Sequence, residues 1–124
     1  MEIAINILVV EDDPAIREFL EMAFTGEGFG VWLAENGAQA LEIVRRRQPD
    51  LILVDVLMNG MSGLEFSSLY RNMLGDHAPI IGMSASHNTA SLAVFFDDFL
   101  AKPFDLDDAF ACVDRHLAYM RIAA

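Results

Sequence analysis

The chain has 124 residues, enough for one domain around one core. Hydrophobic residues make up 54%, which excludes a disordered chain, and no apolar run approaches the ~20 residues a membrane span needs. The formal net charge of −11 argues against direct binding to nucleic acid or anionic lipid and is read first as solubility.

No basic leader precedes an apolar stretch, so no secretory signal is expected. One cysteine, Cys112, excludes an internal disulfide and suits a reducing compartment, so a cytoplasmic location is expected. No repeat, linker or low-complexity tract interrupts the chain, and residues 1–124 are expected to form one domain.

Ala4–Val10 reads as a buried strand because its apolar run is continuous and β-branched. Asp13 can cap a helix with Pro14 at its first position. Ile16, Phe19, Leu20 and Ala23 mark its inner face, and Gly26 and Gly28 end it. Val31–Ala34 is a short second strand. Asn36 is placed to cap a second helix with Ala38, Leu41, Ile43 and Val44 inward. Arg45, Arg46 and Arg47 crowd its C-terminal end, where basic residues suit the helix dipole. They read as a solvated helix end.

Pro49-Asp50 turns into a third strand, Leu51–Val54. Ser62 caps a third helix carrying Leu64, Phe66, Leu69 and Leu74, with Gly75 stopping it. Pro79 leads into a fourth strand, Ile80–Met83, and Phe99–Ala101 is the fifth. Asp105 caps a last helix in which Leu106, Ala109, Phe110, Val113, Leu117 and Met120 recur at helical spacing. Strict alternation of β and α with short connections implies a parallel sheet covered on both faces.

The chemistry-bearing residues fall at strand ends. Ile7-Leu8-Val9-Val10 drives into Glu11-Asp12-Asp13, and Leu51-Ile52-Leu53-Val54 into Asp55. Burying valines beside ionised Glu11 and Asp12 is costly unless a positive charge sits between the acids. Ser84 follows the fourth strand and Lys102 the fifth. In an open parallel sheet, ligands collect beyond the carboxyl ends of the strands, and right-handed crossovers gather those ends. Hard oxygen ligands select Mg²⁺, which prefers one or two carboxylates plus waters and phosphate oxygens. Such a cation and Lys102 suit phosphoryl transfer to a carboxylate. Asp13 reads as a helix cap only, Cys112 as buried and inert, and His77, His87 and His116 as surface or loop residues without ligand spacing.

These pieces also resemble the receiver domain of bacterial two-component response regulators, chemotaxis-regulator-like, over essentially the whole chain. The resemblance rests on Val9-Val10-Glu11-Asp12-Asp13, on Asp55 with Gly60-Met61-Ser62-Gly63, on Met83-Ser84-Ala85, and on Asp98-Phe99-Leu100-Ala101-Lys102-Pro103-Phe104. It implies an α/β fold: a doubly wound, five-stranded parallel sheet in the flavodoxin-like order 2-1-3-4-5. It implies that Asp55 accepts a phosphoryl group from a sensor histidine kinase or phosphotransfer protein. Asp12, Asp55 and the backbone carbonyl of Leu57 would then hold Mg²⁺, with Glu11 acting mostly through water. Ser84 would hydrogen-bond the phosphoryl oxygen, Lys102 would pair with the phosphate, and Phe99 would be a switch aromatic. Lys102-Pro103 resembles the family's cis peptide. The expected role is a signalling switch acting on a downstream protein, and not an enzyme beyond its own phosphotransfer and dephosphorylation.

The chain departs from that pattern. Ser84 and Lys102 stand about four residues closer than is usual, roughly one helical turn, so a shortened or irregular fourth helix is expected between them. Phe95-Phe96 replaces a small Gly-Ala pair. One of these rings is assigned to the core, and the other is left open between core and a partner patch. A receiver-like module that signals mainly through protein contacts is therefore the alternative. A phosphatase using an aspartyl-phosphate is disfavoured, because Leu57 rather than an aspartate stands two residues after Asp55. The last helix ends close to residue 124, so no output domain is expected within these residues.

Overall fold

The computed structural model describes residues 4–58, 60–73, 75–85 and 90–123. The elements run β1 (Asn6–Val10), α1 (Pro14–Gly26), β2 (Gly30–Ala34), α2 (Gly37–Arg46), β3 (Leu51–Asp55), α3 (Gly63–Arg71), β4 (Ile80–Ser84), a 3-10 turn (Ala90–Leu92), β5 (Asp98–Ala101) and α4 (Leu106–Ala123). All five strands are parallel, in the order β2-β1-β3-β4-β5. The doubly wound sheet expected from the alternation and the resemblance is present.

Strand periodicity divides the core. Side chains alternate across a strand, so Ile7, Val9, Leu51, Leu53, Ile81, Met83 and Leu100 face α1 and α4 and pack with Leu20, Phe24, Val113 and Leu117. Leu8, Val10, Ile52, Val54 and Ile80 face α2 and α3 and pack with Leu41, Val44, Phe66 and Tyr70. Every residue of β3 and β4 is buried, as expected of central strands covered on both faces.

The helix caps follow the sequence. Asp13 accepts from the Ala15 amide at 2.9 Å, Asn36 from Gln39 at 2.9 Å and Ser62 from Glu65 at 3.1 Å. At α4, Asp105 accepts from the Asp108 amide at 2.8 Å. The inner faces differ from expectation at single positions. In α2 the buried stripe is Gly37, Ala40, Leu41 and Val44, and Ala38 is exposed. In α3 it is Gly63, Phe66, Ser67 and Tyr70, and Leu69 is 48% exposed. Both follow i, i+3, i+4, i+7 spacing; Leu41, Val44 and Phe66 are buried as expected, while Ala38 and Leu69 fall outside the stripe. In α1 the fully buried residues are Leu20 and Phe24, while Phe19 lies at the rim, 47% exposed. Helix α3 ends at Arg71, before Gly75. Leu74, and the side chain of Met120, lie outside the described residues.

Between β4 and β5, among the described residues, the helical element is the 3-10 turn, and residues 86–89 lie outside the described ones. Helix α3 fixes the segment that follows. The Phe95 carbonyl accepts from Ser67 Oγ and, at 2.8 Å, from Arg71 Nε. Arg71 Nη2 lies 2.9 Å from Asp97 Oδ2, which also accepts from the Ile80 amide at 2.7 Å. Phe96 is buried and Phe95 is partly buried against the same core, so both rings belong to it. Phe96 packs beside Phe99 with ring centroids 5.4 Å apart. Both rings close over Gly82, where a Cβ would meet Phe96 at 3.1 Å and Phe99 at 3.2 Å.

The arginines ending α2 are solvated, as expected. Arg45 and Arg46 lie near Glu42, and the Arg47 guanidinium sits 3.9 Å over the Trp32 ring.

Candidate functional site: an acidic cluster with one lysine

Alternation also builds the site. Val9, Leu53 and Leu100 point to the α1/α4 side of the sheet, so two residues on, Glu11, Asp55 and Lys102 leave the strand ends on that same side. Lys102 Nζ lies 2.9 Å from Asp55 Oδ2 and 3.3 Å from both carboxylate oxygens of Glu11. Glu11, Asp12 and Asp55 each offer an oxygen within 4.8 Å of the others. Residues separated by most of the chain thus share one pocket.

The pocket is held by main-chain bonds. The Glu11 amide donates to Ala34 O at 3.0 Å, and the Lys102 amide to Ser84 O at 2.8 Å. The Leu57 amide donates to Asp55 Oδ1 at 3.2 Å, so hydrogen bonds occupy both Asp55 oxygens. Gly63 opens α3 against the end of β3, where a Cβ would come within 2.1 Å of Asp55 O, so only glycine fits. Ser84 is buried at the end of β4, one residue beyond the Met83 that pairs with Asp55. Phe99 is partly buried on the α2/α3 side. The side chain of Leu57 is 79% exposed. The Lys102–Pro103 peptide bond is cis.

The electrostatics fit a cation site. Burial and the adjacent Asp55 carboxyl push Glu11 well above the usual carboxylate range, and Lys102 only partly offsets this. Burial works against the charged form of Lys102, but hydrogen bonds and charge from Asp55 and Glu11 outweigh it and raise its pKa. One ammonium therefore faces three carboxylates in a poorly solvated pocket. The donor set is all oxygen, which suits Mg²⁺.

Beside Lys102 lies an apolar groove of about 340 Å³ lined by Ile16, Phe19, Ala85, Pro103 and Phe104. The partly exposed Phe19 forms one wall, which accounts for its place at the rim of α1.

Sequence alone gave no structural role to Arg17 or to the pairing of Asp98 with Arg115 and His116. Arg17 donates to Glu11 O at 2.8 Å. Asp98 Oδ2 accepts from Arg115 at 2.8 Å and from His116 at 3.0 Å. His116 is therefore no loose surface histidine: it is half-buried and ties α4 to β5. His77 is exposed and sits edge-on to Tyr70, while His87 lies outside the described residues. The available signals were Arg17 one turn above the Asp13 cap, and Arg115-His116 on the helix that follows β5. Cys112 is buried and its thiol is pushed up to about 11 by burial and Asp98, so it is unreactive.

Comparison with known proteins agrees with this geometry. Residues 7–114 match the response regulator receiver domain family. The chain is 38% identical over 111 residues to the response regulator MprA of Mycobacterium sp. (strain KMS), covering 86% of this chain and 48% of that protein. It spans about half the length of the curated relatives it matches. Among solved structures it resembles the response regulator TrrA of Thermotoga maritima in complex with Mg²⁺–BeF (TM-score 0.82, 35% identity, 90% of this chain and 98% of that one). It also resembles the receiver domain of a sensor histidine kinase from Pseudomonas aeruginosa PAO1, with a magnesium ion in its active-site cleft (TM-score 0.85, 27% identity, 94% and 99%). By its matched length, its sheet order and its strand-end residues, this chain belongs to the response regulator receiver domain family.

Proposed function

We propose that residues 1–124 act as one phosphoryl-accepting signalling unit, with Asp55 as the acceptor. The observation that carries this reading is the 2.9 Å contact between Lys102 Nζ and Asp55 Oδ2 inside a three-carboxylate cluster. A carboxylate oxygen of Asp55 forms a bond to phosphorus as the bond from phosphorus to the donor nitrogen breaks. The donor is a phosphohistidine on a sensor histidine kinase or phosphotransfer protein, which keeps the imidazole. Lys102 stays beside the new phosphate and balances its charge. Ser84 offers a hydroxyl at the neighbouring strand end. Asp12, Asp55 and the Leu57 carbonyl would hold Mg²⁺, with Glu11 beyond them. When bound, Mg²⁺ neutralises charge on the phosphoryl oxygens.

New contacts to Ser84 and Lys102 favour one of two pre-existing arrangements, which Phe99 reports to a downstream protein. The domain works in the cytoplasm and touches neither membrane nor nucleic acid itself. The interaction-only alternative, motivated by the short fourth helix, takes the Phe95-Phe96 region as its interface; Phe96 is buried and Phe95 partly buried, which weighs against that interface.

The test is treatment with acetyl phosphate, with and without Mg²⁺, followed by intact-mass and peptide analysis. A Mg²⁺-dependent phosphoryl adduct on Asp55, absent from D55N, is expected. An adduct elsewhere, or none, overturns the reading.

A further inference from the structure

The ladder of β1 ends at Val10, which pairs with Ala34 and Val54. The carbonyl of Glu11 therefore lies beyond sheet pairing, at the point where the chain turns towards α1. That turn carries Glu11 and Asp12, two of the three clustered carboxylates. The geometry of that turn therefore sets how far apart the Glu11 and Asp12 carboxylates stand.

One side chain holds the turn from the helix side. Arg17 Nη1 donates to Glu11 O at 2.8 Å, while the Glu11 amide is fixed to Ala34 O at 3.0 Å. The main chain of Glu11 is thus clamped between β2 and α1. The Arg17 side chain is only 15% exposed, and its second contact, Nη2 to the exposed Glu35 at 3.7 Å, is the looser one. The Arg17 amide donates to Asp13 O at 2.9 Å, so the tether starts from the first turn of α1, next to the residues it holds. This bond reaches the carbonyl of Glu11, whereas Lys102 takes up its carboxylate oxygens.

We propose that Arg17 is a positioning residue for the divalent-cation site, setting the spacing of Glu11 and Asp12 through the main chain of Glu11. This rests on the phosphoryl-acceptor reading above, in which those acids face Mg²⁺. Removing the donor leaves the carbonyl unpaired, the turn relaxes, and the carboxylates separate. Outer-shell groups that orient metal ligands typically change affinity by about 10- to 100-fold.

The experiment is calorimetric titration of the full chain with MgCl₂, alongside thermal unfolding, for the unsubstituted protein, R17M, R17K and E35Q. R17M is expected to weaken Mg²⁺ binding by about tenfold in protein that remains folded. R17K, which can still give one bond to the carbonyl, is expected to stay within about threefold, and E35Q within about twofold. A purely structural role would lower the unfolding temperature of R17M and leave Mg²⁺ affinity unchanged, which overturns the inference. If R17M does not fold, R17Q takes its place under the same expectation of about tenfold, with unchanged affinity overturning the inference, and R17K reports on the fork. A loss of about tenfold or more there places the effect on the guanidinium fork rather than the carbonyl bond, and also overturns it. Absence of Mg²⁺ binding by the unsubstituted protein overturns the reading of the site and this inference together. Unchanged binding in R17M, with normal binding by the unsubstituted protein, overturns this inference alone.

Discussion

Lys102 Nζ stands 2.9 Å from Asp55 Oδ2 and 3.3 Å from Glu11, the one ammonium within a cluster of three carboxylates. On the proposed function, a divalent cation and this lysine compete for the same oxygens, and both are expected to favour phosphoryl transfer. K102M should move two quantities in opposite directions. Mg²⁺ affinity should rise severalfold, while the rate of phosphorylation by acetyl phosphate should fall by about tenfold or more, equivalent to ~1.4 kcal/mol in the barrier. Calorimetry and a phosphorylation time course on the same sample check both signs. A fall in both would mean that Lys102 organises the pocket rather than competing in it.

On the proposed function, Leu57 is expected to lengthen the lifetime of the phosphorylated product. Its side chain is 79% exposed at the mouth of the site and has no group that can orient an attacking water. L57N should accelerate loss of the phosphoryl group by about tenfold, within the usual range for placing one polar catalytic group. Because the position is exposed, stability should change by no more than about 0.5 kcal/mol. Decay of the purified phosphoprotein, followed by mass, is the measurement. Rapid Mg²⁺-dependent decay unaffected by L57N would count against it.

Asp98 gives the fold a pH dependence. Burial alone would raise its pKa, but hydrogen bonds from Arg115, His116 and the Phe99 amide, with the charge of Arg115, bring it down to about 2. A depressed carboxylate contributes stability that is complete above its unfolded-state pKa and lost as pH falls through its folded-state value. The loss should therefore run from about pH 4 down to about pH 2. Its size is on the order of 1 kcal/mol once solvent screening of a partly exposed group is discounted. Urea unfolding of D98N against the unsubstituted protein should show a gap at neutral pH that closes in acid. A gap of constant size would assign the effect to packing.

Phe96 anchors the segment leading into β5. It is 4% exposed and wedges beside Phe99 over Gly82. F96A should cost about 3–5 kcal/mol, the usual penalty for emptying a buried phenylalanine site. R71A should cost less, about 1–2 kcal/mol, since Ser67 still reaches the Phe95 carbonyl. Denaturant midpoints order the two variants. Equal losses would show that the arginine clamp, not the ring, holds this segment.

The sequence was informative where local physics is decisive. Asp13, Asn36 and Ser62 announced helix starts because a short polar side chain before an apolar stripe has one good use, bonding the free amides of the first turn. Continuous β-branched runs announced buried parallel strands. Glu11, Asp12, Asp55, Ser84 and Lys102 were legible because each ends such a run. Leu69, Ala38 and Phe19 were misplaced because a stripe's phase depends on how the helix rolls against the sheet, which hydrophobicity samples poorly over two or three turns.

Local pattern thus determined, from the sequence by itself, the alternation of elements, their starts and the residues that would crown the strands. Strand-end logic already expected Lys102 and the acids to converge and one of the two rings to enter the core; tertiary structure alone decided which atoms of Lys102, Asp55 and Glu11 meet, that Arg17 ties down the turn holding Glu11, that His116 and Arg115 hold Asp98, and that both Phe95 and Phe96 pack against the core beside Ser67 and Arg71. The reason is range. Caps and periodicities arise within a turn or two of chain, whereas these contacts join residues whose distance is set only when all five strands have paired and both faces of the sheet are covered.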